Sequence, residues 1–173
     1  MEFLKLAEER YSCRSLSDRP VEPEKIDAIL RAAVLAPTAC NYQPFKVWVM
    51  TAPEALAAVK SVCTQPFIQP APAVFVVGAE EQRAWVRDYD GKNFADVDAA
   101  IAATHMMLEV HDLGLGTTWI GHFDPKAIAE QFPDMQGYSL IAMFAVGYPA
   151  DNAVPGNAHS RFRPDGELIR RYE

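Results

Sequence analysis

The chain has few cysteines and no long hydrophobic run, and both features limit the classes of protein to which it can belong. Its three cysteines, Cys13, Cys40 and Cys63, are odd in number, widely spaced and without a C-x-x-C pair. This usage is typical of reduced thiols in a cytoplasm rather than of a disulfide framework. No apolar stretch approaches the roughly 18–20 residues of a membrane span, and residues 1–5 do not resemble a signal peptide. We therefore expect a cytoplasmic protein without a membrane segment.

Positive charge and glycine-rich motifs are also scarce. The formal net charge is -7, which argues against nucleic acid as a partner, because a phosphate backbone needs a net basic face. No G-x-G-x-x-G occurs, so no separate nicotinamide-binding domain is expected. What the chain does have is apolar residues, which make up 50% of its 173 residues. This composition predicts a single globular domain over residues 1–173 with a substantial core.

Hydrophobic periodicity predicts a mixture of helices and strands. We predict helices over Pro23–Ala36, Pro53–Val62, Asp96–Leu113 and Pro125–Gln131, and strands over Phe45–Met50, Ala73–Gly78, Thr117–Gly121 and Ser139–Gly147. The run Ala73–Gly78 is continuously apolar, as in a strand buried on both faces. The polar and aromatic stretch from Glu80 to Phe94 is expected to be a mobile connection with some helix.

The predicted helix Asp96–Leu113 is apolar nearly all round. Its polar residues form a narrow stripe of Asp98, His105, Glu109 and Asp112. Such a helix is buried, either inside the domain or against a second subunit, and Gly114 is well placed to cap its end. Residues 149–173 show no clear periodicity before Glu167. A segment of this length is not expected to extend freely into solvent from a compact domain. We therefore expect residues 149–173, here called the arm, to pack on another surface, such as a partner chain.

Two close arginine pairs lie near opposite ends of the chain. One belongs to the segment Arg10-Tyr11-Ser12-Cys13-Arg14, and the other is Arg161 with Arg163. The guanidinium fork suits phosphate, and a serine hydroxyl adds a short donor. On an acidic chain this pattern favours a site for a small anion, in particular a phosphorylated ligand. The alternative is that these arginines lie on the surface and pair with neighbouring carboxylates, such as Glu8 and Glu9 beside Arg10.

Five segments, taken in order, resemble the FMN-dependent nitroreductase family. They are Arg10–Arg14, Pro37-Thr-Ala-Cys-Asn-Tyr-Gln-Pro44, Gly114-Leu-Gly-Thr-Thr-Trp-Ile-Gly-His-Phe123, Val146-Gly-Tyr-Pro149 and the pair Arg161/Arg163. The resemblance implies an α+β fold, a three-layer α-β-α sandwich around a central mixed, mostly antiparallel sheet. It also implies an intertwined homodimer, in which the arm 149–173 reaches onto the partner and two FMN molecules bind at the interface.

The same resemblance assigns the arginine clusters to the phosphate end of FMN. Arg10, Ser12 and the backbone at Tyr11 are placed along the phosphate and ribityl chain, and Arg161 and Arg163 close over the phosphate. Because a dianionic phosphate that leaves water needs cations and hydrogen bonds together, the residue types suit the task.

The resemblance also assigns residues to the flavin ring. Arg14 is placed near N1 and O2, where a fixed cation stabilises the reduced anionic ring; the alternative is a surface arginine paired with Asp18. Trp119, Ile120, Gly121 and His122 are placed along the ring, with the backbone N–H of Gly121 pointing at the hydride-carrying N5 and that of His122 at O4. A glycine lets the backbone approach the ring closely; the alternative is an ordinary strand end with a core tryptophan.

The loop Pro37-Thr38-Ala39 is placed over the ring or ribityl of the partner subunit's FMN. Two roles are open for Asn41 and Gln43, which either bind the cofactor edge or hold the backbone of their own loop. Gln65 is aligned with the pyrimidine edge of the ring.

Other residues have an open role or none. Trp85 and Tyr89 act either as a lid over the substrate face or as packing groups. No metal site is expected, because His105 and Glu109 have metal-ligand spacing but no further ligand beside them. Cys40 lacks an adjacent base and is not expected to be a nucleophile.

The implied activity is a ping-pong oxidoreductase reaction. NADH or NADPH gives hydride to flavin N5, and an electron-poor acceptor such as a nitroaromatic, a quinone or free flavin takes it up. The alternatives are another superfamily reaction, namely ene reduction, dehydrogenation or flavin breakdown, or a non-enzymatic anion-binding and dimerisation domain. The choice between NADH and NADPH stays open.

Overall fold

The structure, a computed structural model, describes residues 2–173. Its helices are α1 (Phe3–Glu9), α2 (Pro23–Leu35), α3 (Pro53–Ser61), α4 (Ala95–Asp112), α5 (Pro125–Gln131) and α6 (Asp165–Leu168), and its strands are β1 (Phe45–Met50), β2 (Ala73–Ala79), β3 (Gly116–Ile120) and β4 (Ser139–Gly147). Each of the eight helices and strands predicted above is present, with ends within one residue of the prediction. Proline at the first position of α2, α3 and α5 helps to start these helices.

The four strands form one antiparallel sheet in the order β1-β2-β4-β3. Strands β1 and β3 are therefore the two edges. The open side of β3 carries an isolated parallel bridge between Ser12 and Thr117. The prediction of an α+β fold with a mixed, mostly antiparallel sheet is confirmed.

Strand β2 is buried along its whole length and divides two hydrophobic cores. Phe75 and Val77 face the core built with α2 and α4, whereas Val74 and Val76 face the core built with α3 and α5. Successive side chains of a strand point to opposite faces of the sheet, and in β2 both sets are apolar and buried. Helices therefore pack on both faces of the sheet. The three-layer α-β-α sandwich is confirmed.

A glycine turn joins α4 to β3 and so fixes where β3 begins. Gly114 has φ of 73°, and its amide donates to the carbonyl of His111 at 2.9 Å. The amide of Leu115 then donates to the carbonyl of Val110, also at 2.9 Å. Glycine adopts this left-handed backbone without strain, so the predicted cap is confirmed.

The connection Glu80–Phe94 contains turns and a single bridge but no helix in the described structure. The prediction of some helix there is wrong. Asn93 shows why, because its side chain donates to the carbonyl of Glu81 at 2.9 Å and accepts from the amide of Ala95 at 2.8 Å. These side-chain hydrogen bonds stabilise a turn in place of a helical ladder.

The arm, residues 149–173, leaves the body after β4 and ends beyond the short α6. Its large apolar side chains are exposed, namely Val154, Phe162, Leu168, Ile169 and Tyr172. Packing of this arm on a partner chain stays a prediction. None of the described helices combines the length and apolar character that crossing a membrane requires.

Candidate functional site

A cavity of about 330 Å³ lies where the N-terminal segment meets the arm. Side chains and backbone from both ends of the chain line it: Arg10, Ser12, Arg14, Gly156, Ala158, His159, Arg161 and Phe162. No carboxylate is among these lining residues. The cavity is therefore a cationic site, and it unites members of both predicted arginine pairs.

The N-terminal segment is held in place by the edge of β3. The amide of Cys13 donates to the carbonyl of Thr117 at 2.9 Å. Next to this hydrogen bond, a Cβ at Gly116 would lie 2.8 Å from the Sγ of Cys13 and 2.9 Å from its Cβ. Glycine at this position thus allows the buried Cys13 to pack directly on the strand.

Further pairing brings the start of the arm beside the N-terminal segment. The amide of Ser17 donates to the carbonyl of Tyr148 at 2.8 Å, and the amide of Ala150 donates to the carbonyl of Ser15 at 3.0 Å. The hydroxyl of Ser15 also donates to the Oδ1 of Asn152 at 2.7 Å. These contacts explain why arginines so distant in sequence share one cavity.

The cavity arginines have no carboxylate partner among the described residues. A nitrogen of Arg10 lies 4.0 Å from the Sδ of Met107, and Arg14 donates to the carbonyl of Ser12 at 3.5 Å. Glu9 pairs with Lys5 at 3.7 Å instead of with Arg10. The alternative in which these arginines serve as surface ion pairs is therefore not what the structure shows, and their charge is available to an anion.

His159 lines the cavity although the sequence did not suggest it, and Arg163 does not line it. The imidazole of His159 lies edge-on to the ring of Tyr11, with centroids 6.3 Å apart and planes at 72°. Burial first, and then a hydrogen bond with Cys13, raise the pKa of Tyr11 to about 12. Tyr11 thus stays a neutral packing group near neutral pH.

The segment predicted to follow the flavin ring continues from the same sheet edge. The parallel bridge between Ser12 and Thr117 is the point at which the N-terminal segment meets β3. Trp119 packs edge-on against Phe144 with centroids 5.2 Å apart, and it is 36% exposed. Just beyond it, a Cβ at Gly121 would meet nothing within 4 Å. The end of β3 therefore offers an open backbone surface on the strand that also pairs with the N-terminal segment.

The segment of Gln65 approaches this region through Phe67. The guanidinium carbon of Arg14 lies 5.9 Å from the centroid of the Phe67 ring, and Gln65 directly precedes the short 3₁₀ turn that carries Phe67. A contact between Gln65 and a cofactor stays a prediction.

The loop Pro37–Gln43 lies at the other edge of the sheet, immediately before β1. Within the loop the hydroxyl of Thr38 accepts from the amide of Gln43 at 3.0 Å, and the Oδ1 of Asn41 accepts from the Nε2 of Gln43 at 2.9 Å. Cys40, Asn41 and Gln43 all have positive φ, between 51° and 56°. The side chains of Asn41 and Gln43 thus bond to each other within the loop, and a contact of either residue with a cofactor stays a prediction.

Asp98 in the first turn of α4 holds this loop from beneath. Its Oδ1 accepts from the amide of Ala39 at 3.0 Å, and its side chain is buried, with the residue 1% exposed. Asp98 is thus the buried member of the polar stripe predicted on α4, and this hydrogen bond compensates its burial. Its Oδ2 is buried without a partner among the described residues.

The remaining candidates make only local contacts. Trp85 packs edge-on against Phe94 with centroids 5.0 Å apart, and Tyr89 is 98% exposed. The Nδ1 of His105 lies 2.9 Å from the carbonyl of Ile101 in its own helix. Within the described residues no group of three or more metal-ligating side chains is present.

Fold and site together define an α+β protein with a cationic cavity at one sheet edge and a strained loop at the other. The model of the nitroreductase family matches residues 7–65 and 52–148 of this chain. The chain belongs to the nitroreductase family.

Individual relatives agree over nearly the whole length. A protein of Archaeoglobus fulgidus with the provisional name NADH dehydrogenase/NAD(P)H nitroreductase is 30% identical over 168 residues, which cover 95% of each chain. A crystal structure of a nitroreductase family protein from Clostridium difficile 630 has 33% identity and a TM-score of 0.88, with 98% of each chain covered. An FMN-dependent nitroreductase from Clostridium difficile R20291 has 27% identity and a TM-score of 0.79, with 99% of each chain covered.

Proposed function

We propose that this protein is a homodimeric, FMN-dependent oxidoreductase that transfers hydride from NADH or NADPH to an electron-poor acceptor such as a nitroaromatic or a quinone. The observation that carries the proposal is the carboxylate-free cavity in which Arg10, Ser12, Arg14 and Arg161 meet. The names of the relatives, which include an FMN-dependent nitroreductase and an NAD(P)H nitroreductase, support the cofactor and the co-substrate.

The residues present fit the phosphate end of FMN. Three guanidinium groups without carboxylate partners and one serine hydroxyl supply charge and hydrogen-bond donors in a space of about 330 Å³. A phosphate binds strongly to such a set, because charge-assisted hydrogen bonds are about twice as strong as neutral ones. Arg10, Ser12 and Arg161 would hold the phosphate, and Arg163 is proposed to close over it.

The open end of β3 suits the ring of FMN. When bound, FMN supplies the hydride chemistry, receiving hydride from NAD(P)H and passing it to the acceptor. Gly121 leaves its backbone accessible, since no described atom beyond its two chain neighbours lies within 4 Å of the position of its missing Cβ. Trp119, Ile120 and His122 would line the ring, and Arg14 would favour the reduced cofactor through its positive charge.

The second half of the site is proposed to come from a second copy of the chain. The loop Pro37–Gln43 and the arginine cavity lie at opposite edges of one sheet. In addition, α4 presents an apolar cavity of about 430 Å³ to solvent, lined by Val97, Ala100, Ile101, Thr104 and His105. Dimerisation over α4 and the arm would cover these apolar surfaces and bring Pro37, Thr38 and Ala39 to the partner's FMN.

The first test is spectroscopic. The purified protein is expected to be yellow, or to turn yellow with added FMN, and to bleach when NADH or NADPH is added without air. Anaerobic addition of a nitroaromatic, a quinone or free FMN to the reduced protein then identifies the acceptor by the return of absorbance. A colourless protein that also refuses FMN would overturn the proposal.

The second test concerns Arg14. In anaerobic stopped-flow mixing with saturating NAD(P)H, Arg14→Ala is expected to slow reduction at least about tenfold, whereas Arg14→Lys keeps most of the rate. Gel filtration should show the same assembly for both variants and the parent. Equal reduction rates in Arg14→Ala and the parent would contradict the role given to this residue.

A further inference from the structure

The arm is held against the body at His159. From residue 154 to residue 173, His159 is the one residue that is not exposed in the described structure. Its ring packs edge-on against Tyr11, and its amide donates to the carbonyl of Gly156 at 2.9 Å. The imidazole is therefore fixed at the wall of the cationic cavity, although none of the family-like segments contains it.

The charged groups that line the cavity with His159 are all cations. They are Arg10 and Arg14 from the N-terminal segment and Arg161 from the arm, and the neighbouring phenol of Tyr11 is neutral because its pKa is raised to about 12. A phosphate in this cavity can accept charge-assisted hydrogen bonds from the guanidinium groups, and its remaining oxygens can accept from a ring N–H beside them.

We propose that His159 is an additional ligand of the FMN phosphate, which donates a hydrogen bond from a ring N–H and binds the phosphate together with the arginines. The inference rests on the proposed function, because it takes FMN as the occupant of the cavity. A flavin without the phosphate should gain nothing from His159.

The experiment compares FMN and riboflavin, because riboflavin lacks the phosphate. Dissociation constants of both flavins are measured by fluorescence at one pH for the parent, His159→Phe and His159→Lys. Phenylalanine keeps a ring that can pack on Tyr11 but has no N–H, whereas lysine keeps a donor.

We expect His159→Phe to weaken FMN binding about fivefold, with riboflavin affinity unchanged. His159→Lys should keep most of the affinity for FMN. An equal loss for both flavins would mean that His159 is only a packing group, and no loss for FMN would remove it from the site; either result overturns the inference. A parent protein that binds no FMN would instead overturn the proposed function.

Discussion

The two segments proposed to form the FMN site are built in opposite ways. The N-terminal segment Arg10–Arg14 is an extended chain hydrogen-bonded to β3, and its arginines have no carboxylate partners. The loop Pro37–Gln43 instead satisfies its polar groups internally and through Asp98, at the cost of three residues with positive φ. The first segment presents unsatisfied charge, and the second presents a fixed shape. The difference indicates that binding energy comes from one segment and pre-organised cover from the other.

The largest expected effect comes from removing charge from the N-terminal segment. Arg10→Ala should weaken FMN binding about 30-fold, which corresponds to about 2 kcal/mol for a charge-assisted contact. The measurement is fluorescence titration with FMN and with riboflavin, and only FMN should be affected strongly. Arg31→Ala is the matched control, because Arg31 is exposed on α2 and does not line the cavity. A similar loss in both variants would contradict the distinction between the segments.

The next effect concerns the packing that supports the N-terminal segment. Gly116→Ala forces a methyl group against Cys13 at 2.8 Å and should lower the free energy of unfolding by about 1–3 kcal/mol. Gly121→Ala is the matched control for stability, since its methyl group meets nothing within 4 Å and should change the free energy by less than about 0.5 kcal/mol. Urea unfolding measures both. Equal free energies of unfolding for the two variants would mean that the N-terminal segment moves away from the added methyl group without loss of stability.

A smaller effect is expected where the loop is anchored. Asp98→Ala removes the acceptor of the Ala39 amide and should lower the free energy of unfolding by about 1 kcal/mol. Asp98→Asn should cost less, because its amide oxygen can still accept this hydrogen bond. Thermal unfolding, together with proteolysis of the loop, measures the effect. Unchanged resistance of Asp98→Ala to proteolysis would show that the loop holds its shape unaided.

The smallest effect is a pH dependence at the start of the arm. The hydroxyl of Tyr148 donates to Glu22 at 2.6 Å, and this bond, followed by others including Arg19, lowers the pKa of Glu22 from 4.5 to about 2. A lowered pKa stabilises the fold above the ordinary pKa, and this stability is lost as the pH falls from about 5 toward 2. In Tyr148→Phe the free energy of unfolding should fall less over this pH range than in the parent, as measured by unfolding at each pH. An equal fall in the two proteins would contradict the role given to this hydrogen bond.

Much of the fold follows from local pattern. Three features were predicted from the sequence because each pattern favours one local structure. They are the continuous apolar run of β2, the all-round apolar α4 and the helix-ending glycine at position 114. The order β1-β2-β4-β3 was not, since hydrophobic pattern indicates which residues are buried but not which strands are neighbours. The absence of helix in Glu80–Phe94 depends on the side-chain bonds of Asn93, which compete with a weak helical signal.

Within the site, the arginines were predictable because guanidinium chemistry is specific, whereas His159 and Asp98 were not. His159 becomes part of the cavity only because the arm folds back on Tyr11. Asp98 is buried because of one amide that is distant in sequence. Positive φ at Cys40 likewise has no signature in the residue type, since a left-handed backbone there would be expected of glycine or asparagine.

The placement of the two segments at opposite edges of one sheet has a consequence for handling the protein. If each flavin needs one edge from each of two chains, cofactor retention and self-association are linked equilibria. Dilution should then release flavin, and excess flavin should keep dilute chains associated. The colour of a sample would report its quaternary state as well as its oxidation state.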